Sequence, residues 1–215
     1  SMDILVREFV HYYQAICAKQ PVNLTPLAVQ YSDFAYWQRQ WLAGELLENQ
    51  LSYWDQQLDS VPVVHQLPLD YPRPSVKKTA GQQLSALLDK QTADRLEAFA
   101  LQNNVTLFML LHGALSLVLA QHSNSDDIVV GTAVANRLQT EIEPLIGFFV
   151  NTLVLRVRTH AETLDDYLAH VREVNLQAQA NQDVPFDFLV ERCRIPRTTQ
   201  HTPLFQIMFN MNTNA

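Results

Sequence analysis

The chain has 215 residues, of which 47% are hydrophobic and 17% charged, enough for one large domain or two small ones with an apolar core. A formal net charge of −7, without a lysine–arginine cluster, argues against nucleic acid and anionic membranes as partners. No apolar run is long enough to span a bilayer, and the first residues do not resemble a signal peptide. Cys17 and Cys193 lack disulfide or metal-site spacing. We therefore expect a soluble protein of the reducing cytoplasm.

The first third of the chain is predicted to be helical. Apolar residues recur at helical spacing over residues 4–13, so the chain begins inside a helix, which indicates a piece of something longer. Asp33 is a plausible start of a second helix, whose aromatic residues fall on one face and are more typical of a core than of a ligand site. A third helix is predicted over residues 44–58. Residues 60–81 contain four prolines and predict an extended surface crossing.

The middle of the chain predicts a strand and two helices. Residues 82–88 alternate weakly between apolar and polar, as in a strand, and Thr92 is the predicted N-cap of the helix that follows. Thr106 is expected to cap the next helix, which is apolar nearly all round and should therefore be central and enclosed. His112 lies in that helix, where a satisfied core histidine is favoured over a catalytic one. A strand is predicted to follow Asp127.

Residues 145–158 predict a strand that is buried on both faces. Asn151 and Arg156 nevertheless lie within it, and a buried amide or guanidinium needs hydrogen-bond partners. Two explanations stay open at this point. Either both residues are tied to neighbouring backbone in a central strand, or the strand runs beside a substrate channel.

The last third predicts a helix, a short helix and a strand. Thr163 is the expected N-cap of a helix that reaches about residue 180, and Pro185 the first residue of a short helix. Residues 204–212 alternate like a strand. Strands and helices thus alternate, which predicts an α/β or α+β layered domain. The seven histidines show no metal-site spacing, and there is no phosphate-binding glycine loop or activated nucleophile.

Four segments, in order, resemble the later core motifs of condensation domains of nonribosomal peptide synthetases. They are residues 31–38 (Tyr-x-Asp-Phe-Ala-x-Trp-Gln), 146–156 (Ile-Gly-x-Phe-Val-Asn-Thr-Leu-x-Leu-Arg), 181–186 (Asn-Gln-Asp-Val-Pro-Phe) and 194–209, where Thr-Pro-Leu-Phe-Gln-Ile-Met-Phe at 202–209 is the recognisable part. Residues 67–74 and 131–137 agree as well. The resemblance covers essentially the whole chain, and four ordered motifs are more specific than any one of them.

The resemblance implies one lobe of the two-lobed fold that is related to chloramphenicol acetyltransferase. Such a domain joins two substrates that are bound to carrier proteins as thioesters. The amine of the downstream substrate attacks the thioester of the upstream substrate. No cofactor would be bound directly, since the phosphopantetheine arms of partner carrier proteins present the substrates. The implied partners are upstream and downstream peptidyl carrier domains, an adjacent adenylation domain and the missing N-terminal lobe. Antibiotic or siderophore biosynthesis in the cytoplasm is the expected context.

The family's His-His-x-x-x-Asp-Gly motif precedes the segment that Met2 begins, and the 215 residues do not contain it. We therefore expect residues 1–60 to be a helical connection from the other lobe, 61–81 a proline-rich crossing, and 82–215 a C-terminal lobe truncated at its end. No catalytic residue is expected here, and the chain alone should be inactive. Two alternatives stay open: a non-catalytic carrier-docking or scaffold unit, and a heterocyclisation or epimerisation relative.

The resemblance also supplies candidate site residues. The motif aspartate needs a cation, for which Arg137 and Arg156 are candidates; Arg137 is favoured because its loop would floor the channel, and a solvated loop arginine is the alternative. Asn151 and Asn210 are expected to point amides at the substrate channel. Further motif residues are expected to hold the architecture: Asp33, Trp37, Gly147, Phe149, Gln182, Asp183, Pro185 and Phe186.

Overall fold

A computed structural model describes residues 1–196 and 198–212 and contains seven α-helices and one two-stranded sheet in those residues. The elements are, in chain order, α1 (Met2–Cys17), α2 (Tyr31–Trp41), α3 (Gly44–Gln57), α4 (Lys90–Gln102), α5 (Leu107–Ser123), β1 (Asp127–Val134), β2 (Asn151–Arg158), α6 (Leu164–Ala180) and α7 (Phe186–Arg192). A short 3₁₀ turn, Thr140–Ile142, lies between the strands. The mixture of helix and strand confirms the predicted α/β class.

Local capping chemistry sets the helix starts. Thr106 and Thr163 are N-caps, as predicted, because their hydroxyl oxygens accept hydrogen bonds from backbone N–H groups three residues later. Asp33 closes a capping box from the third helical position, where it accepts from the N–H of Gln30 at 2.8 Å. The predicted N-cap Thr92 is wrong. Asp89 caps α4 instead, since its carboxylate accepts the N–H of Thr92 at 2.8 Å and so satisfies a donor of the first turn.

The sheet pairs β1 with β2 in antiparallel register, which places Asp127 opposite Arg158 and Val134 opposite Asn151. The predicted strand over residues 145–158 is therefore too long, because residues 145–150 form no strand. The predicted strand over residues 204–212 is reduced to one parallel bridge between Gly131 and Met208. The end of the described chain thus runs beside β1 without a full ladder.

The predicted strand over residues 82–88 is wrong. The segment has no helix or strand, and the side chains of Leu84 and Leu87 are 98% and 102% exposed. Alternation makes a strand only where a second strand satisfies its backbone groups, and no other part of the described chain pairs with this one.

The main core surrounds β2, whose Val154 and Val157 have no exposed surface. Helices α3, α6 and α7 contribute Trp54, Val171 and Leu189 to the same cluster. Helix α5 is less enclosed than expected, because Val118 is 51% exposed on its outer face. The helix is therefore apolar on a surface that the described residues do not cover.

None of the described helices is by itself long and apolar enough to cross a membrane. Only α4 and α5 taken together meet that length, and they are bent by 101° at the break between them.

Candidate functional site

The guanidinium of Arg137 organises the loop between the two strands. Its Nη1 and Nη2 groups donate to three backbone carbonyls within residues 142–145. Nη2 also donates to the hydroxyl oxygen of Ser1 at 2.7 Å, and the guanidinium lies 4.1 Å from the ring centroid of Phe149. These contacts hold the half-buried side chain of Arg137 against the backbone of its own loop. Its Nε–H is the one guanidinium group without a hydrogen-bond partner in the described residues.

Ser1 joins the start of the chain to the motif at residues 146–150. Its hydroxyl donates to the carbonyl of Gly147 at 2.9 Å and accepts from the N–H of Gly147 at 3.3 Å. A Cβ at Gly147 would lie less than 3.0 Å from Cδ2 of Tyr31, so the close approach of the ring requires glycine. We call Ser1, Tyr31, Arg137, Gly147 and Phe149 the Arg137 cluster.

Aromatic rings of α2 pack against the Arg137 cluster. Phe149 is 3% exposed, and its ring centroid lies 4.8 Å from Phe34 and 5.3 Å from Tyr31, the latter edge-on. Trp37 packs on Phe34 at 5.9 Å and stacks on Trp41 at 5.0 Å. These contacts agree with a structural role for Trp37 and Phe149. Asp33 also has a structural role, because it is part of the capping box at the start of α2.

Asn151 holds a second cluster together. Its Nδ2 donates to the carbonyls of Gln182 at 2.8 Å and Val184 at 2.9 Å, and its Oδ1 accepts from the N–H of Phe186 at 3.1 Å. Both donor hydrogens are used, and the oxygen keeps one lone pair. The geometry favours the explanation in which this amide is tied to backbone, and it gives no support to a channel-facing Asn151.

Helix α3 supports the same motif with two side chains that sequence analysis missed. Gln50, 4% exposed, donates to the Oδ2 of Asp183 at 2.7 Å and accepts from its N–H at 3.2 Å. The Nε1 of Trp54 donates to the carbonyl of Asn181 at 2.8 Å. A glutamine on the apolar face of a predicted helix was the available signal, since a buried amide needs a partner. Pro185 is the N-cap of α7, one position before the first helical residue, whereas the sequence predicted it as that first residue.

Arg156 lies at the far end of the sheet and does not join Arg137. Its Nε and Nη2 bind both carboxylate oxygens of Asp127, at 2.9 and 2.8 Å, and its Nη1 donates to the carbonyls of Gln57 and Asp59. Arg156 is five residue steps from Asn151 along β2, which is about 17 Å. Arg156 is thus tied to carbonyls and a carboxylate, and the alternative of a channel cation finds no support.

The whole chain matches one protein family. A family model described as Condensation domain matches residues 1–215. The chain belongs to the condensation-domain family. It is 43% identical over 210 residues to one of the subunits of linear gramicidin synthase from Brevibacillus parabrevis, a match that covers 97% of this chain and 4% of that protein. The chain therefore spans only a small part of the length of that relative, and the resemblance expected from the four motifs is confirmed.

Solved structures of similar fold agree with membership of this family. The X-domain from teicoplanin biosynthesis superposes with a TM-score of 0.89 at 26% identity, over 96% of this chain and 47% of that one, and it has also been solved in complex with OxyB. The four-domain nonribosomal peptide synthetase holo-AB3403, bound to AMP and glycine, gives a TM-score of 0.75 at 29% identity, over 79% of this chain and 13% of that one.

In this condensation-domain chain, Asn210 lies beside the end of β1. Its Oδ1 accepts from the N–H of Ala133 at 2.8 Å and from the hydroxyl of Thr132 at 3.4 Å. Asn210 also borders a cavity of about 430 Å³ that begins at this end of the sheet. The predicted amide is therefore placed at a cavity, apart from the second cluster that Asn151 holds.

His112 is a neutral core histidine of the condensation-domain chain. It has no exposed surface, its Nδ1 lies 3.1 Å from the Nδ2 of Asn175, and its ring packs on Phe108 and Phe209. Burial lowers the pKa of His112 to about 4, because the apolar surroundings penalise the imidazolium. Since the amide donates to Nδ1, we assign the ring proton to Nε2, which has no hydrogen-bond partner in the described residues.

Proposed function

We propose that this chain is one lobe of a condensation domain that forms peptide bonds between carrier-bound aminoacyl or peptidyl thioesters in a nonribosomal peptide synthetase. Family membership supports the class. The observation that carries the proposal is the Arg137 cluster, in which the hydroxyl of Ser1 binds both Arg137 and Gly147. In the family, the His-His-x-x-x-Asp-Gly motif lies just before the position that Ser1 resembles. In a synthetase, a segment that precedes Ser1 would thus end next to Arg137.

The free donor of Arg137 supports its pairing with the motif aspartate. The other guanidinium groups of Arg137 are held by carbonyls and Ser1, while Nε–H has no partner in the described residues. All three nitrogens of Arg156, by contrast, have acceptors. A carboxylate buried without a cation is costly, so Arg137 is the residue of this lobe that would stabilise the aspartate and with it the motif.

The chemistry assigns this lobe a supporting part. The downstream amine nitrogen attacks the upstream thioester carbon, the carbon–sulfur bond breaks, and the amine proton finally resides on the departing thiolate. In the family, the second motif histidine lies beside the amine, and no His-His pair occurs in the 215 residues. The chain alone would therefore supply one side of the substrate channel and the cation of Arg137, and we propose that it forms no peptide bond by itself.

The partners follow from the same proposal. Carrier proteins upstream and downstream would present their substrates on phosphopantetheine arms, and an adenylation domain and the other lobe would adjoin this chain in one synthetase. The similarity to a gramicidin synthase supports antibiotic biosynthesis as the context.

A second function is favoured by one observation. The X-domain with a TM-score of 0.89 has been solved in complex with OxyB, so a fold of this kind also serves as a binding surface. A chain of that type would bind a partner protein, and a synthetase that contains it would make no peptide bond through this region.

Arg137→Met in the synthetase that contains this chain tests the proposal. With both carriers loaded, we expect single-turnover dipeptide formation to fall at least about tenfold, because the loss of even 1.4 kcal/mol from the pair gives about that factor. The matched control is Arg192→Met, which removes an exposed pair with Asp55. Equal rates for the two variants would overturn the pairing, and a wild-type synthetase that forms no dipeptide would favour the binding surface.

A further inference from the structure

Four amide side chains line the cavity of about 430 Å³. Asn175 and Gln179 from α6, Asn210 from the end of the described chain, and Thr132 from β1 share it with Phe108 of α5. Thr132 and Asn175 are buried, whereas Gln179 and Asn210 are exposed at its mouth. The walls of the cavity therefore combine apolar side chains with these polar groups, and the cavity is open at one side.

The amides of the cavity differ from the amides elsewhere in this fold. Gln50 and Asn151 each bind backbone groups or a carboxylate through both the nitrogen and the oxygen of the amide, and the amide of Gln206 binds three backbone groups. In the described residues the Oδ1 of Asn175, only 1% exposed, accepts no hydrogen bond, and the side chain of Gln179 at the mouth makes none. Native structures pair buried polar groups, so the free Oδ1 of Asn175 points to a ligand that completes it.

The residues that line the cavity also carry no charge. No side chain that lines the cavity is ionisable, and His112, which holds Asn175 from behind, is neutral at neutral pH. A charged group would lose its hydration there without a counter-charge, whereas a neutral amide or hydroxyl could both donate and accept. The chemistry of the walls thus selects uncharged, hydrogen-bonding ligands.

The cavity lies close to the Arg137 cluster along the chain. Val134, the last residue of β1, lines it, and Arg137 follows three residues later, at most about 11 Å of extended chain away. A group that reacts beside Arg137 is therefore within reach of this cavity.

We propose that the cavity holds the side chain of one carrier-bound aminoacyl substrate and selects an uncharged amide- or hydroxyl-bearing side chain. This inference rests on the proposed function, since it takes the substrate to be an aminoacyl thioester. Asn175 at the wall and Gln179 and Asn210 at the mouth are the specificity-determining residues.

A charge introduced at Gln179 tests the assignment. The synthetase is loaded with glutaminyl, glutamyl or lysyl pantetheine on each carrier in turn, and dipeptide formation is measured in single turnovers. We expect the wild type to prefer glutaminyl at one carrier, and Gln179→Glu to raise the lysyl-to-glutamyl ratio there about tenfold. Gln121→Glu, the same change at an exposed position of α5 that does not line the cavity, should leave the ratio unchanged.

The outcomes separate the two levels of the proposal. If no pair of substrates gives dipeptide with the wild type, the proposed function fails. If dipeptide forms but Gln179→Glu changes the ratio at neither carrier, the cavity inference alone fails. A side-chain amide NMR titration of the chain with pantetheine supplies the second readout: shifts of the Asn175 and Asn210 signals by pantetheine alone would assign the cavity to the carrier arm and overturn the inference.

Discussion

Replacing Arg156 with methionine should cost about 3 kcal/mol of unfolding free energy. Arg156 and Asp127 have side chains only 7% and 11% exposed and form two hydrogen bonds at 2.8 and 2.9 Å. Removing one partner of a buried pair costs about 3–5 kcal/mol, because the other charge stays buried without compensation. We expect the lower end of that range, since Arg158 still lies 3.1 Å from Asp127 and retains part of the attraction.

Urea unfolding, followed by tryptophan fluorescence, measures this difference, because Trp54 is 1% exposed and should change its emission on unfolding. The midpoint should fall at constant slope, which indicates a change in stability alone. Arg192→Met is the control, since its pair with Asp55 is 39% and 45% exposed and solvent-screened, so that its loss should change stability little. Asp127→Asn added to Arg156→Met should recover part of the loss. Equal costs for Arg156→Met and Arg192→Met would refute the reasoning.

Two further predictions concern the core. Gly131→Ala should destabilise the chain by about 1–3 kcal/mol in the same urea assay, because its Cβ would lie less than 3.0 Å from Cε2 of Phe205, whereas the Cβ of Gly81→Ala meets no atom within 4 Å and should leave the midpoint in place. Stability should fall as pH drops from about 6.5 to 4, because the unfolded His112 binds a proton there and the folded one, with a pKa of about 4, does not. The loss from this residue reaches about 3 kcal/mol at pH 4, and His112→Gln should lose less stability over that interval; an unchanged pH profile in the variant would contradict the buried, neutral assignment.

Features that depend on neighbouring residues were predictable from the sequence. Thr106 and Thr163 cap their helices through backbone groups three residues away, and the apolar spacing of α6 fixes its buried face. The absence of a strand over residues 82–88 could not be predicted, because strand formation depends on a partner strand that local alternation does not reveal. The same dependence reduced residues 204–212 to a single bridge.

The candidate site divides in the same way. The motifs pointed to Arg137 and Asn151, but their partners lie far away in sequence, with Ser1 separated from Arg137 by 136 residues. The pairing of Arg156 with Asp127 follows only from the antiparallel register, which brings the start of β1 beside the end of β2. Residue types therefore indicated which side chains need partners, and only the fold showed which partners they have.

Dipeptide formation by the isolated 215-residue chain tests the central claim most directly. The chain is mixed with two separately loaded carrier proteins, and product is compared with the same carriers in buffer and with the synthetase that contains this region. We predict the buffer rate for the isolated chain and a faster rate for the synthetase. Product above the buffer rate from the chain alone would contradict the account, since it would mean that these residues carry their own reactive group.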